Sequence, residues 1–183
     1  VVSPEVHPDK TVTFRFRAPS ASEVLLTTQF ISQPAQMQKD ENGVWSVTLG
    51  PAEPDIYPYC FIVDGISVAD PLNVLVFANE QFKNSLVEIP GDTPLVHEMQ
   101  DVPHGKVTYW YYNSGTLETT RPLVVYTPPG YDSETNIDYP VLYLIHGATD
   151  TEETWFKVGR VNLIMDNLIA GGEAEPMIIV MPY

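Results

Sequence analysis

Hydrophobic and polar residues alternate from Thr11 to Phe16. Val12, Phe14 and Phe16 fall on one side and Thr11, Thr13 and Arg15 on the other, the period-two pattern of a half-buried strand. After the turn formers Ala18-Pro19-Ser20, Glu23 to Phe30 reads as a second strand. Asp40-Glu41-Asn42-Gly43 predicts a turn ahead of a strand from Val44 to Leu49, and a hairpin accounts for this stretch most simply. Tyr57 to Val63 runs into Asp64-Gly65, a strong hairpin signal, and Ser85 to Ile89 supplies a closing strand. With no amphipathic helix between these segments, residues 1–92 are expected to form a small β-sandwich.

The pattern changes after Pro90-Gly91-Asp92. Residues 93–103 are polar and proline-bearing, as a linker would be, and residues 104–183 read as a second domain. Lys106 to Tyr112 and Arg121 to Tyr126 predict strands separated by a polar turn around Asn113, Ser114 and Gly115. Val141 to Ile145 is apolar without alternation, which predicts a strand covered on both faces. Apolar residues at Val161, Ile164, Met165 and Leu168 have helical spacing, and Gly171-Gly172 stops that helix after Ala170. Met177 to Met181 is a second apolar run. The order strand, loop, helix, strand predicts a sheet with helices on its faces.

Composition narrows the partners. The 183 residues carry 9 Lys and Arg against 24 Asp and Glu, a formal charge of −15, with no clustered basic patch. Such a surface repels phosphate backbones and anionic lipid, so no nucleic-acid partner is expected. No apolar run approaches the roughly 18 residues of a membrane span, so no membrane partner is expected. The first residues, VVSPEV, lack a basic stretch followed by an apolar core, so no signal peptide is expected within the chain. The single cysteine, Cys60, sits in an apolar strand without a nearby histidine and reads as a core thiol. His7, His97, His104 and His146 have no ligand spacing, and Asp64 and Asp70 lie where carboxylates commonly cap backbone groups, so no metal site is expected.

In an open α/β sheet a ligand binds beyond the carboxyl ends of the strands. Two loops reach that edge, one beginning His146-Gly147-Ala148-Thr149-Asp150 and the other Pro182-Tyr183. Small residues at Gly147 and Ala148 leave backbone N–H groups able to face an anion or a developing oxyanion. The plainer alternative is a polar turn leading to a helix, capped by Thr151 or Thr154. His146, directly after a strand, is expected to bond loop backbone and shape the turn rather than act as a base. Glu152 and Glu153 are adjacent and so poorly placed to face one another across a glycosidic bond. Of Trp110, Tyr111 and Tyr112, consecutive on a strand, at least one is expected in the core, with a carbohydrate-stacking platform as the other reading.

Tyr126-Thr127-Pro128-Pro129-Gly130-Tyr131, then Tyr139-Pro140-Val141-Leu142-Tyr143-Leu144-Ile145-His146-Gly147, Trp155 and the stretch from Arg160 to Tyr183 resemble the start of the esterase domain of carbohydrate esterase family one, the feruloyl and acetyl-xylan esterases. Tyr57 to Asn73, with VDG and DPLN elements, resembles the immunoglobulin-like module related to carbohydrate-binding family forty-eight. The resemblance implies an immunoglobulin-like β-sandwich over 1–92 followed by the first part of an α/β-hydrolase sheet. It implies a secreted or periplasmic serine esterase without cofactor, acting on feruloylated or acetylated xylan through a Ser-His-acid triad.

By the same resemblance the Ala148 N–H is one oxyanion donor, and the residue after the nucleophile supplies the other. Asp150, Trp155 and Tyr183 match positions near the substrate cleft, Trp155 chiefly packing the loop. Thr149 stands where the family often has a second glycine. The chain contains no G-x-S-x-G element, and its last serine, Ser133, precedes the strand from Val141. The nucleophile, histidine and acid are therefore expected in further polypeptide beyond Tyr183, and these residues alone are expected to be inactive. The other readings are a carbohydrate-binding or structural module on an inactive hydrolase-like scaffold, or an enzyme resembling esterase D or the enterobactin esterases. For the front module a rigid spacer is weighed against glycan binding.

Overall fold

A computed structural model describes residues 1–131 and 137–183, so Ser133 lies outside the described residues. The chain divides into one unit of Val1–Phe77 and Phe82–Thr93 and a second of Ala78–Gln81 and Pro94–Tyr183. Residues 78–81 thus run with the second unit although they precede the last strand of the first. No helix among the described residues is long and apolar enough to cross a membrane.

The first unit contains β1 (Glu5–Val6), β2 (Val12–Arg17), β3 (Val24–Thr28), β4 (Ala35–Gln36), β5 (Gln38–Lys39), β6 (Val44–Leu49), β7 (Asp55–Val63), β8 (Ile66–Val68) and β9 (Ser85–Ile89). Two sheets form, in the orders β1-β2-β6-β5 and β4-β3-β7-β8, with β9 added along β7. Their apolar faces meet: Phe14 and Tyr59 lie 4.8 Å apart between ring centroids, Phe16 and Phe61 4.7 Å. The hairpin across Asp40–Gly43 joins β6 to the short β5, whereas β3 belongs to the other sheet and pairs with β7. Asp64 and Gly65 connect β7 to β8 with φ of 46° and 86°, the left-handed pair that a two-residue hairpin of primed type requires. The Asp64 carboxylate also accepts the Ser22 and Glu23 N–H groups, each at 2.9 Å.

Asp70 is 2% exposed and fully engaged. Its Oδ2 accepts the hydroxyls of Ser3 (2.6 Å) and Tyr59 (2.8 Å), and its Oδ1 accepts the Leu72 N–H (2.9 Å). Cys60 is buried with a free thiol, which burial pushes above its ordinary range. Burial also pushes the Tyr59 phenol up, and the Asp70 carboxylate beside it adds to the shift. Because the folded state holds that proton more tightly than the unfolded chain, Tyr59 contributes stability below about pH 10 that is lost as the pH rises further. Denaturant unfolding of the first unit is therefore expected to weaken above about pH 10. Tyr59→Phe should flatten that slope while lowering stability at neutral pH by about 1–2 kcal/mol. An unaltered alkaline slope in the variant would assign it elsewhere.

The second unit holds β10 (Lys106–Ser114), β11 (Thr119–Thr127), β12 (Val141–Tyr143), α1 (Thr154–Lys157), α2 (Val161–Ala170) and β13 (Ile178–Pro182). Its sheet runs β10-β11-β13-β12, with β12 and β13 parallel and the other pairs antiparallel. Asn113 and Ser114 extend β10 instead of forming the turn, because they pair with Thr120 and Thr119; the turn is Gly115–Glu118. α2 stops as its glycines dictate. Gly172, at φ 70°, donates to the Ile169 carbonyl and Glu173 to that of Leu168, the paired bonds of a Schellman cap.

One face of the sheet buries Val124, Tyr126, Ile179 and Met181 against Val161 and Met165 of α2. The opposite face, with Leu123, Val125, Ile178 and Val180, lines an open groove of about 560 Å³ flanked by Trp110 and Tyr112. This overturns the expectation that one aromatic of 110–112 is core: Trp110, Tyr111 and Tyr112 are 57%, 74% and 39% exposed. Alternation sends Trp110 and Tyr112 to the face that no described element covers. The strand from Val141 is likewise shorter than expected and not enclosed. Val141, Leu142 and Tyr143 are all exposed, because β12 is the edge strand and pairs only with β13.

Candidate functional site

The loop after β12 begins where the Leu144 N–H donates to the Val180 carbonyl (2.9 Å), holding the chain alongside the carboxyl end of β13. Gly147–Asp150 then forms a tight turn, closed by the Asp150 N–H on the Gly147 carbonyl at 3.2 Å. A side chain is disfavoured at Gly147, since a Cβ there would stand 3.0 Å from Asp150 Oδ2. Thr149, third in the turn, has φ 67°, a left-handed conformation that favours glycine and is unusual for a β-branched residue. Ala148 is exposed, and its N–H has no hydrogen-bond partner among the described residues.

Three of the other singled-out residues meet around this turn. His146 Nδ1 is 2.8 Å from the Gly147 carbonyl, an acceptor, so that nitrogen donates to the turn's own backbone. Its ring lies 5.9 Å from that of Tyr183, and the Arg121 guanidinium sits 4.8 Å from the Tyr183 centroid, a cation–π contact. Trp155 donates from Nε1 to the Ile145 carbonyl (3.0 Å) and is 40% exposed. Its ring and backbone leave no spare room at Gly159, where a Cβ would lie 3.0 Å from the Trp155 carbonyl oxygen. The Trp155 indole thus secures the loop's entry, while part of its face stays in solvent.

Asp150 points elsewhere. Its Oδ1 accepts from Asn79 Nδ2 at 2.8 Å, and the same amide donates to Thr149 Oγ1 at 3.0 Å. The main chains are joined as well: Asn79 and Asp150 form an isolated antiparallel bridge, and the Glu80 N–H donates to the Thr149 carbonyl at 2.8 Å. Thr154 donates its hydroxyl to the Ala78 carbonyl (2.8 Å), while the Thr151 hydroxyl accepts the Glu153 N–H at 3.4 Å. Glu153 accepts the Tyr109 hydroxyl (2.9 Å) and pairs with Lys157 one turn on (2.7 Å). Burial first, and the Glu153 carboxylate next, push the Tyr109 phenol up to about 12. Asn79, Glu80 and Arg121 carry no motif, and only the lone cationic character of Arg121 near a strand start could have drawn attention from sequence.

Among the described residues no group of three or more His, Cys, Asp or Glu is placed to hold a metal ion. The turn leaves one backbone donor, the Ala148 N–H, without a partner among the described residues, and a donor of this kind can serve an oxygen that carries negative charge. The open groove on the sheet is a separate feature, and none of residues 146–150 lines it.

Residues 114–183 match the family model described as "Putative esterase". The whole chain is similar to an endo-1,4-beta-xylanase/feruloyl esterase of Xylanibacter ruminicola, 35% identical over 98% of this chain and 26% of that protein. A shorter stretch, 36% of the chain, is 42% identical to endo-1,4-beta-xylanase Y of Acetivibrio thermocellus, covering 6% of that protein. Among solved structures, the enterobactin esterase of Shigella flexneri aligns over 94% of this chain and 50% of its own, at TM-score 0.64 and 19% identity. The ferric enterobactin esterase of Salmonella typhimurium aligns over 98% and 55%, at TM-score 0.59 and 17% identity. The chain thus spans about a quarter of the length of the Xylanibacter ruminicola protein and about half of the enterobactin esterases, whose fold it shares across both units.

Proposed function

We propose that this chain is part of a serine carboxylic-ester hydrolase that removes feruloyl or acetyl groups from plant cell-wall xylan, with residues 104–183 forming the first part of its esterase domain. The observation that carries the reading is the unbonded Ala148 N–H, presented on a tight turn beyond the carboxyl end of a parallel strand. The match of residues 114–183 to an esterase model and the xylanase/feruloyl esterase name of a relative aligned over 98% of this chain support the acyl group and the polymer. In this reading residues 1–92 are an immunoglobulin-like module related to carbohydrate-binding family forty-eight, acting as a spacer, and residues 93–103 are the linker. The protein works outside the cytoplasm, in the medium or periplasm, where xylan fragments are met.

A serine on later polypeptide attacks the ester carbonyl while a histidine takes its proton, and the carbonyl oxygen becomes an oxyanion. The Ala148 N–H and the amide following the serine donate to that oxygen. Collapse breaks the bond to the sugar oxygen, which leaves as an alcohol with the histidine's proton; water then repeats the sequence on the acyl-serine and frees the acid. His146 holds the turn through its backbone bond and takes no proton from substrate. Tyr183, flanked by His146 and Arg121, walls the approach to the oxyanion position.

The test uses the polypeptide that continues past Tyr183 through a serine elbow. It is expected to release ferulate from methyl ferulate and from feruloylated arabinoxylan oligosaccharides, with kcat on the order of 1–10³ s⁻¹. A fluorophosphonate should label its elbow serine. Absence of both turnover and labelling would leave the inactive-scaffold reading in its place.

A further inference from the structure

The turn that presents Ala148 is not held by its own bonds alone. Thr149 is β-branched and left-handed, and the bonds that hold it there come from 70 residues away in the chain: Asn79 Nδ2 on its hydroxyl and the Glu80 N–H on its carbonyl. Asn79 is 2% exposed, and its Oδ1 accepts the Gln81 N–H at 2.9 Å, so the side-chain amide is oriented before it meets the turn. The other amide hydrogen is directed at Asp150 Oδ1, fixing the residue on the far side of Thr149. At the near side, the Gly147 carbonyl is held by His146 and by the Asp150 N–H. Ala148 is the one residue between these two anchored ends, and the direction of its N–H follows from them.

Resting on the esterase reading above, we propose that Asn79 is a positioning residue for the oxyanion donor. Its side-chain amide keeps Thr149 left-handed and thereby keeps the Ala148 N–H aimed at the reacting carbonyl oxygen. Asn79 does not touch substrate. Asn79 also holds Asp150, but its role differs from general bracing in that the backbone angle at Thr149 is the feature that aims the donor. A glycine reaches that angle unaided, so Thr149→Gly should lessen the dependence on Asn79.

The experiment compares four versions of the polypeptide that continues past Tyr183: wild type, Asn79→Ala, Thr149→Gly and the double substitution. With methyl ferulate, Asn79→Ala is expected to lower kcat by about ten- to a hundredfold, as a misaimed donor does. KM should stay within about threefold, because ground-state binding is not the term removed. Adding Thr149→Gly to Asn79→Ala should recover at least about tenfold of the lost kcat. In isotope-labelled protein the φ-sensitive HN–Hα coupling of Thr149 should change in Asn79→Ala. If that variant fails to fold, Asn79→Asp serves instead, since it keeps the acceptor for Gln81 and removes both donors.

Unchanged kcat in Asn79→Ala, an unchanged Thr149 coupling, or a loss of kcat that Thr149→Gly does not recover overturns the proposal. Should the wild-type polypeptide hydrolyse no ester, the functional reading falls separately. The Thr149 coupling then decides whether Asn79 sets the turn.

Discussion

Exchanging the Ala148 peptide N–H for an ester oxygen, by semisynthesis of the polypeptide that carries the nucleophile, is expected to lower kcat toward methyl ferulate by about 10²–10³-fold. That corresponds to about 2.7–4 kcal/mol of transition-state stabilisation from a single donor. The size follows from preorganisation. This N–H has no partner among the described residues, so it surrenders no existing protein bond when the oxyanion forms, and the turn already fixes its direction. KM is expected to move little, because a ground-state ester oxygen is a weak acceptor beside the tetrahedral anion. The exchange leaves the Ala148 methyl group in place but makes the Gly147 carbonyl, which accepts from His146 and the Asp150 N–H, a weaker ester acceptor, so the Thr149 HN–Hα coupling is measured alongside to show that the turn is kept. A rise in KM with kcat unchanged would instead mark the N–H as a binding contact, and no loss would remove Ala148 from the chemistry.

Asp166→Ala is expected to destabilise the second unit by about 4 kcal/mol, the range seen when one partner of a buried charged cluster is deleted. The carboxylate is 2% exposed and gathers three donors. Tyr126 OH reaches its Oδ1 at 2.7 Å, the Gly105 N–H reaches the same oxygen at 2.9 Å, and His104 Nδ1 lies 2.9 Å from Oδ2. These tie the residues leading into β10 and the end of β11 to α2. Truncation strands a fully buried phenol and a backbone N–H, each costing about 1–3 kcal/mol unpaired. The backbone is closely packed at this point, since a Cβ on Gly105 would overlap the Thr127 carbonyl and the Tyr126 ring. His104 is partly in solvent and adds less. Tyr126→Phe, which leaves the carboxylate its other donors, should cost about 1–2 kcal/mol. Urea unfolding followed by fluorescence and far-ultraviolet dichroism measures both. A loss under about 1 kcal/mol for Asp166→Ala would mean that water replaces the cluster.

Structure that depends on near neighbours is legible in the chain, and structure that depends on distant ones is not. β2 follows from alternation, β6 from the turn formers Asp40–Gly43 ahead of it, the β7–β8 hairpin from Asp64-Gly65, and α2 from its spacing and its two terminal glycines. Each depends on neighbours within a few residues. Burial of an apolar run depends on what covers it, and that information sits in other elements. Val141–Tyr143 have the composition of an enclosed strand yet lie at an edge, and Trp110 and Tyr112 lie on a face without a covering layer. At the site, the turn was legible because a strand ending in His-Gly announces it. Its brace was not, because an asparagine in a polar stretch 70 residues upstream has no spacing relation to the turn it holds.

Residues 78–81 also govern how this molecule can be taken apart. A gene trimmed near residue 93, or a hybrid in which the first ninety residues are exchanged for those of a relative, discards Asn79 and Glu80 with the front module. Slower turnover in such a product would be mistaken for lost anchorage to polysaccharide, although the lesion would lie in a turn whose own sequence is intact. Dissection of the two units requires grafting that tetrapeptide back, or cutting the chain on either side of it.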